Sequence, residues 1–435
     1  MIGLVDCNNF FVSCERLFNP ALNGKAVVVL SNNDGCVISR SNEAKALGIP
    51  MGLPAFKIKE YTNPNNVVML SGRHILYRDI SDRIMSLLGN EVEQLQIYSV
   101  DECFFKAPYD NDADNYDFMR NLVEKIQRHT GIPVSIGIAP SRTLAKIASH
   151  IAKTTYNGIG NVYLLTNFED FESVLKATPV GDVWGVGRRL SQKYLTCGIR
   201  TAYDLSKAPM SWIKSQFSIT EERTVRELNG EDCTRITAIT ETNKSITSSR
   251  SFGSLVKDKK TLWEAIAYFT AGCAERLRKQ HSAANMISVY IRGDIHIETI
   301  PFYTNSCDLR LETPSYDTAY LTQHALKAFN SIYRSGFQYR KAGVVLSHLV
   351  NSSDVQLNIF DNVDIEKQRR LMNALDSVNR NCGKGTLILG AQGLDKKWAP
   401  RKEHTAKKST ALRIYSGMTP FKSSSDFSAT SEESK

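Results

Sequence analysis

The chain has 435 residues, 42% of them apolar, and a formal net charge of +9. At roughly 100–200 residues per domain it should hold two to four domains, and no apolar run approaches the length that spans a bilayer. The opening MIGLVDCNNFF lacks a basic segment before its apolar residues, which argues against a secretory signal. The nine cysteines are scattered, with no C-x-x-C pair. That pattern argues against a disulfide framework or a structural zinc site and suits a reducing cytoplasm.

The charge is unevenly placed. Residues 1–242 carry 26 Lys/Arg against 27 Asp/Glu, residues 243–350 carry 14 against 8, and residues 396–413 carry 7 against 1. A near-neutral first half followed by two basic segments fits a catalytic part with surfaces that hold a polyanion, although solvated basic stretches give the same count.

In chain order, residues 2–6 read as a short buried strand ending in the carboxylate of Asp6. Residues 26–30 (AVVVL) read as a second buried strand. LQIYSVDECFF (95–105) reads as a longer strand with Asp101 and Glu102 in its middle. Val134, Ile136 and Ile138 alternate with Ser135 and Gly137 as a further strand. Ser141 then caps a helix whose buried side is Leu144, Ile147, Ala148 and Ile151, with Lys146 and Lys153 on another face. The first part is thus α/β or α+β. Residues 165–236 read as helical, interrupted at Gly185-Val186-Gly187. Residues 237–247 read as a linker. Strands at Ser248–Leu255, Met286–Gly293 and Gly343–Leu349 flank a helix near Leu262–Gln280, which makes a second α+β domain. From Ser423 onward the Ser-rich sequence predicts disorder.

Three carboxylates on neighbouring strands suit two divalent cations, because crowded like charges need neutralising. Two Mg²⁺ ions about 3.5–4 Å apart can clamp the attacking and leaving oxygens of a phosphoryl transfer. On an ideal strand, however, Asp101 and Glu102 point to opposite faces, so the strand must bend or end there. A solvated hairpin tip is the plainer alternative.

The segments DCNNFF (6–11), VVVLSNNDGCVISRSNEAKALGIPMG (27–52), IYSVDECF (97–104), VSIGIAPSRTLAKIASHIAK (134–153), PVGDVWGVGRR (179–189), ERTVRELNGEDC (222–233) and SRSFG (249–253) resemble, in order, the Y-family of DNA polymerases, and within it the UmuC group of bacterial members. The resemblance implies an α+β multidomain right hand. Its palm would be residues 1–9 and 73–164, its fingers 10–72, its helical thumb 165–236 and its α+β little finger 243–350. A clamp-binding linker region (351–381) and a UmuC-type C-terminal extension (382–435) would follow. The implied activity is error-prone translesion DNA synthesis with dNTP substrates and two Mg²⁺ ions, in the cytoplasm, during the DNA-damage (SOS) response.

The roles carry over residue by residue. Asp6, Asp101 and Glu102 match the catalytic metal ligands. Phe11 matches the steric gate, whose ring leaves no room for a 2′-hydroxyl. Lys153 matches the lysine that reaches the triphosphate, with the main-chain amides of Cys7 to Phe10 nearby. Ser39, Asn42 and Lys45 match phosphate-contacting positions, although many members carry Tyr and Arg where this chain has Asn42 and Lys45. Gly185, Gly187, Arg188 and Arg189 read as the DNA-holding turn of a helix-hairpin-helix. Arg250 is a candidate phosphate contact in the basic second domain.

Gln356, Leu357, Ile359 and Phe360 in QLNIF match the pentapeptide that docks on the β sliding clamp. The resemblance also implies a UmuD′ dimer and the RecA filament as partners of the extension, which could otherwise be a basic DNA-affine tail. No membrane partner is expected. A catalytically silent DNA- and clamp-binding protein is the alternative from another class, and the intact acids speak against it. A nucleotide cyclase is disfavoured because the GG-D/E-E-F turn is absent.

Overall fold

The computed structural model describes residues 1–155, 161–233, 242–356 and 365–405. These fall into two compact units, one built from residues 1–31, 36–155, 161–233 and 404–405, the other from residues 32–35, 242–356 and 365–403.

The first unit runs β1 (Ile2–Cys7), α1 (Phe10–Phe18), β2 (Ala26–Leu30), β3 (Val37–Arg40), α2 (Asn42–Ala46), β4 (Val67–Ser71), α3 (His74–Gly89), β5 (Leu95–Ile97), β6 (Glu102–Lys106), α4 (Asp112–Thr130), β7 (Val134–Ala139), α5 (Arg142–Thr155) and β8 (Val162–Leu164). It continues with helices α6 (Phe168–Ala177), α7 (Arg188–Thr196), α8 (Ala202–Ser206), α9 (Met210–Gln216) and α10 (Ile219–Leu228). The main sheet has the order β5-β6-β1-β7-β8. Its central strand β1 is buried along its length except at Asp6, so the apolar run is covered on both faces and the acid sits at the sheet's open end. A smaller sheet, β3-β2-β4, is built round the fully buried β2.

Helix α5 begins as expected. The Ser141 hydroxyl accepts from the Leu144 amide at 3.3 Å, while the Glu227 carboxylate accepts from the Thr143 amide at 3.0 Å. Its close seat on β7 depends on Gly137, where an added Cβ would lie 2.1 Å from the Ser149 backbone nitrogen. Leu144, Ala145 and Ala148 of α5 share a core with Leu175, Tyr194, Leu205, Ile213 and Leu228 from the five later helices.

The second unit comprises β9 (Ser245–Val256), α11 (Lys259–Lys279), β10 (Ser282–Arg292), β11 (Thr304–Ser315), α12 (Thr318–Ile332), β12 (Tyr339–Asn351) and α13 (Ile365–Asn381). Its four strands are antiparallel in the order β11-β10-β12-β9, and α11 and α12 supply the core facing them.

Three expectations need correction. LQIYSVDECFF is not one strand: β5 and β6 pair antiparallel, Leu95 with Phe105 and Ile97 with Cys103, and the chain turns through Tyr98–Asp101. The reversal is closed by the Tyr98 and Ser99 amides, which both donate to the Glu102 carbonyl. The second unit holds an additional strand and helix, β11 and α12, which the three-strand expectation left out. The stretch expected as a linker region contains the 17-residue α13. Its Met372 is buried, and its Asp376 makes a paired salt bridge to Arg278 at 2.6 and 2.7 Å. Further on, Trp398 is buried against Tyr268 and Phe269, so residues 382–405 include packed structure. Residues from Ser423 onward lie outside the described residues.

Candidate active site

The site forms where β1 ends beside the β5–β6 turn. Asp6 stands in register with Glu102 on the adjacent strand, and opposed residues of an antiparallel pair project to the same face. Asp101 lies in the turn, its carbonyl accepting from the Cys7 amide at 2.8 Å and its carboxylate from the Ser99 hydroxyl at 2.6 Å. The bend resolves the strand geometry that would have sent Asp101 and Glu102 to opposite faces. The sequence brings three acids together by ending a strand, not by alternating along one.

Helix α5 lays its lysines over these acids. Lys153 contacts Asp6 at 2.6 Å, and Lys146 contacts both oxygens of Glu102 at 3.0 and 3.1 Å. Burial pushes the Asp6 carboxyl above its usual range; Lys153 opposes the shift and Asp101 adds to it. Glu102 is likewise raised, first by burial, against the pull of Lys146, with Asp6 and Asp101 adding repulsion.

Among the described residues no three His, Cys, Asp or Glu side chains form a ready-made metal group. The acids are turned to Lys146, Lys153 and Ser99. The donor set nevertheless suits hard divalent cations, which prefer carboxylate and carbonyl oxygen. Cys7 and Cys103 are buried in the core, with thiols held up by burial, and are no competing soft ligands.

The start of α1 forms the next wall. Its N-cap Asn9 adopts a left-handed conformation, φ 48°. The Cys7 and Asn8 amides are already engaged by the Asp101 and Pro133 carbonyls, so of the four amides expected near a triphosphate those of Asn9 and Phe10 stand at the open helix start. The Phe10 side chain is buried in the core. Phe11 is half-buried, its ring stacked on Tyr77 with centroids 4.5 Å apart.

Ser39 is buried, and its hydroxyl accepts from the Val12 amide and donates to the Asn9 carbonyl, which places it as a brace of the α1 start. The Asn42 carbonyl oxygen accepts from Asn9 at 3.0 Å and from Lys45 at 3.3 Å. The Lys45 ammonium is lowered by desolvation and then by repulsion from Lys153, so the two lysines share one electropositive region beside Asp6.

Elsewhere in this unit Gly185 takes φ +87° and Gly187 caps α7, with Arg188 and Arg189 exposed on its first turn. In the second unit Arg250 is exposed on β9, the edge strand of its sheet. Gln356 is exposed, whereas Leu357, Ile359 and Phe360 lie outside the described residues.

Sequence reasoning gave Lys146 no role, although its seven-residue spacing from Lys153 was the available signal. It also missed the rings round that lysine. Lys146 Nζ lies 4.8 Å from the Tyr98 ring centre and 5.5 Å from that of Trp184, and the Trp184 indole donates to the Tyr98 hydroxyl at 3.1 Å.

Residues 5–150 match the impB/mucB/samB family, residues 243–359 its C-terminal domain, and residues 369–411 a domain of unknown function. The chain is 40% identical to Protein UmuC of Salmonella typhimurium over 95% of its own length and 100% of that protein. It is 37% identical to Protein SamB of Salmonella typhimurium over 93% of its length and 96% of that protein. Among solved structures it resembles a Y-family DNA polymerase chimera of Dbh and Dpo4, with TM-score 0.63 and 21% identity, over 80% of this chain and 99% of that one. Sequence match and fold agree: the chain has the fold of a Y-family DNA polymerase and belongs to the impB/mucB/samB family.

Proposed function

We propose that the Asp6–Asp101–Glu102 site transfers deoxynucleotides to a primer 3′-hydroxyl, directed by a template and tolerant of damaged template bases. The observation that carries this reading is the in-register pairing of Asp6 with Glu102, Asp101 in the adjoining turn, and Lys153 and Lys45 on the same side. Two Mg²⁺ ions held by the three acids would supply Lewis acidity to the 3′-oxygen and to the leaving pyrophosphate. Lys153 and Lys45 draw in the triphosphate, the open amides of α1 receive a phosphate, and Phe11 forms the floor under the sugar.

In this reading residues 1–9 and 73–164 are the palm, 10–72 the fingers, 165–236 the thumb and 243–350 the little finger. Gly185, Gly187, Arg188 and Arg250 hold primer-template DNA by its backbone. QLNIF tethers the chain to the β sliding clamp. The proposed setting is the cytoplasm, on the nucleoid, in the SOS response with a UmuD′ dimer and the RecA filament. Among the described residues no helix is long and apolar enough to cross a membrane.

The test is single-nucleotide incorporation by purified protein with Mg²⁺ on four templates. Incorporation should follow the template base, if loosely. Tight primer-template binding with no incorporation at any template would return the reading to a silent DNA-binding protein.

Two further results are expected. Because burial makes Asp6 and Glu102 hold protons to higher pH than ordinary carboxylates, protons compete with the cation as pH falls. The Mg²⁺ concentration giving half-maximal extension should therefore rise as the pH falls toward the carboxylate range, as Mg²⁺ titrations at a series of pH values will show. Arg250→Ala should weaken DNA binding for every sequence alike and reduce the slope of log affinity against log salt by about 1, read by fluorescence anisotropy.

A further inference from the structure

Phe11 does not stand alone. Its ring lies on Tyr77 at an interplanar angle of 17° and meets the His74 ring edge-on at 5.8 Å. Tyr77 is 1% exposed, and its hydroxyl donates to Glu15 at 2.6 Å. Glu15, also 1% exposed, receives the Arg73 Nε at 2.8 Å and a second Arg73 nitrogen in a paired salt bridge. Phe11 and Glu15 are one turn apart on α1; Arg73 and Tyr77 are one turn apart at the start of α3. Two i,i+4 pairs on facing helices thus lock into one another.

A buried ion pair is a poor way to gain stability, since desolvating both charges offsets most of their attraction. What it gives is direction. The fork of Arg73 fixes the Glu15 carboxylate, the carboxylate fixes the Tyr77 hydroxyl, and the Tyr77 ring fixes the height and tilt of Phe11. A gate that works by overlap with a single hydroxyl is sensitive to displacements well under an ångström.

The geometry points to Tyr77, Glu15 and Arg73 as positioning residues that set how strictly this polymerase rejects ribonucleotides. This rests on Phe11 being the steric gate. Tyr77→Phe keeps the stacked ring but drops the hydrogen bond to Glu15, so the ring can tilt. Tyr77→Leu removes the stack. Glu15→Gln keeps an acceptor but loses the charge that grips Arg73.

The experiment compares kcat/KM for GTP and dGTP opposite template dC in wild type, Tyr77→Phe, Tyr77→Leu, Glu15→Gln and Phe11→Ala, with thermal melts of each. Phe11→Ala should raise the ribo-to-deoxy ratio by about a hundredfold or more, as expected when an excluding contact is removed. Tyr77→Phe and Glu15→Gln should raise it by about three- to tenfold, and Tyr77→Leu by more, chiefly through a lower KM for GTP. A ratio unchanged in all three platform variants while Phe11→Ala raises it would overturn the inference and leave the gate standing. A ratio unchanged in Phe11→Ala as well would overturn the gate and the inference with it. Should Tyr77→Leu fail to fold, Tyr77→Phe and Glu15→Gln decide the matter.

Discussion

Asp101→Asn should lower the single-turnover rate of nucleotide incorporation by about a thousandfold or more. The substitution keeps the shape of the side chain, and the Asn amide can still be met by the Ser99 hydroxyl that Asp101 accepts at 2.6 Å. The main-chain bond from Cys7 to the residue-101 carbonyl, 2.8 Å, is also untouched. The loss therefore falls on charge. Asp101 also repels Asp6 and Glu102, so its removal should leave the metal-free fold at least as stable at neutral pH. Rapid-quench kinetics alongside a thermal melt separate the two effects. A rate loss with an unchanged or raised melting temperature places Asp101 in the chemistry, and a matching loss of both would make it a structural residue.

Gly137→Val should prevent the first unit from folding, and Gly137→Ala should cost it at least about 3 kcal/mol, near the top of the usual range for overpacking. The added Cβ would meet backbone, not a side-chain tip: Ser149 N at 2.1 Å, Ala148 C at 2.6 Å and Ala145 O at 2.8 Å. Helix α5 can make room only by moving off the sheet, which would carry Lys146 and Lys153 away from Glu102 and Asp6. A drop of about 10 °C in the melting transition of Gly137→Ala is the expected reading for a unit of this size. Gly187 is the contrasting site. It has φ −77°, and nothing lies within 4 Å of its ideal Cβ, so Gly187→Ala should leave the melt unchanged.

Much of this arrangement was legible in the sequence because local rules and tertiary needs coincide. The apolar runs at 2–6 and 26–30 are buried strands, and the period of Leu144, Ile147 and Ala148 with Ser141 ahead of them gives α5 and its cap. The acids were found by type and flanks. Their mutual placement was not, because the turn at Tyr98–Asp101 carries no glycine or proline and is closed by main-chain bonds to Glu102. The lysines were visible as a seven-residue pair, but which acid each one faces depends on the strand order β6-β1-β7, a long-range property. The platform under Phe11 joins Glu15 to residues 58 and 62 positions away, a distance at which periodicity says nothing. Helix α13 went unread because its polar faces resemble a linker until Met372 is seen in contact with the body of the second unit.

Primer extension on a template with a single abasic site tests the central claim most directly. Purified protein, Mg²⁺ and four dNTPs would be tried with and without clamp, UmuD′ and RecA, and Asp101→Asn would run in parallel. Products reaching beyond the lesion with the wild-type chain, and none with the variant, are the expected result. Primer-template bound by both proteins and extended by neither, under every condition, would contradict it.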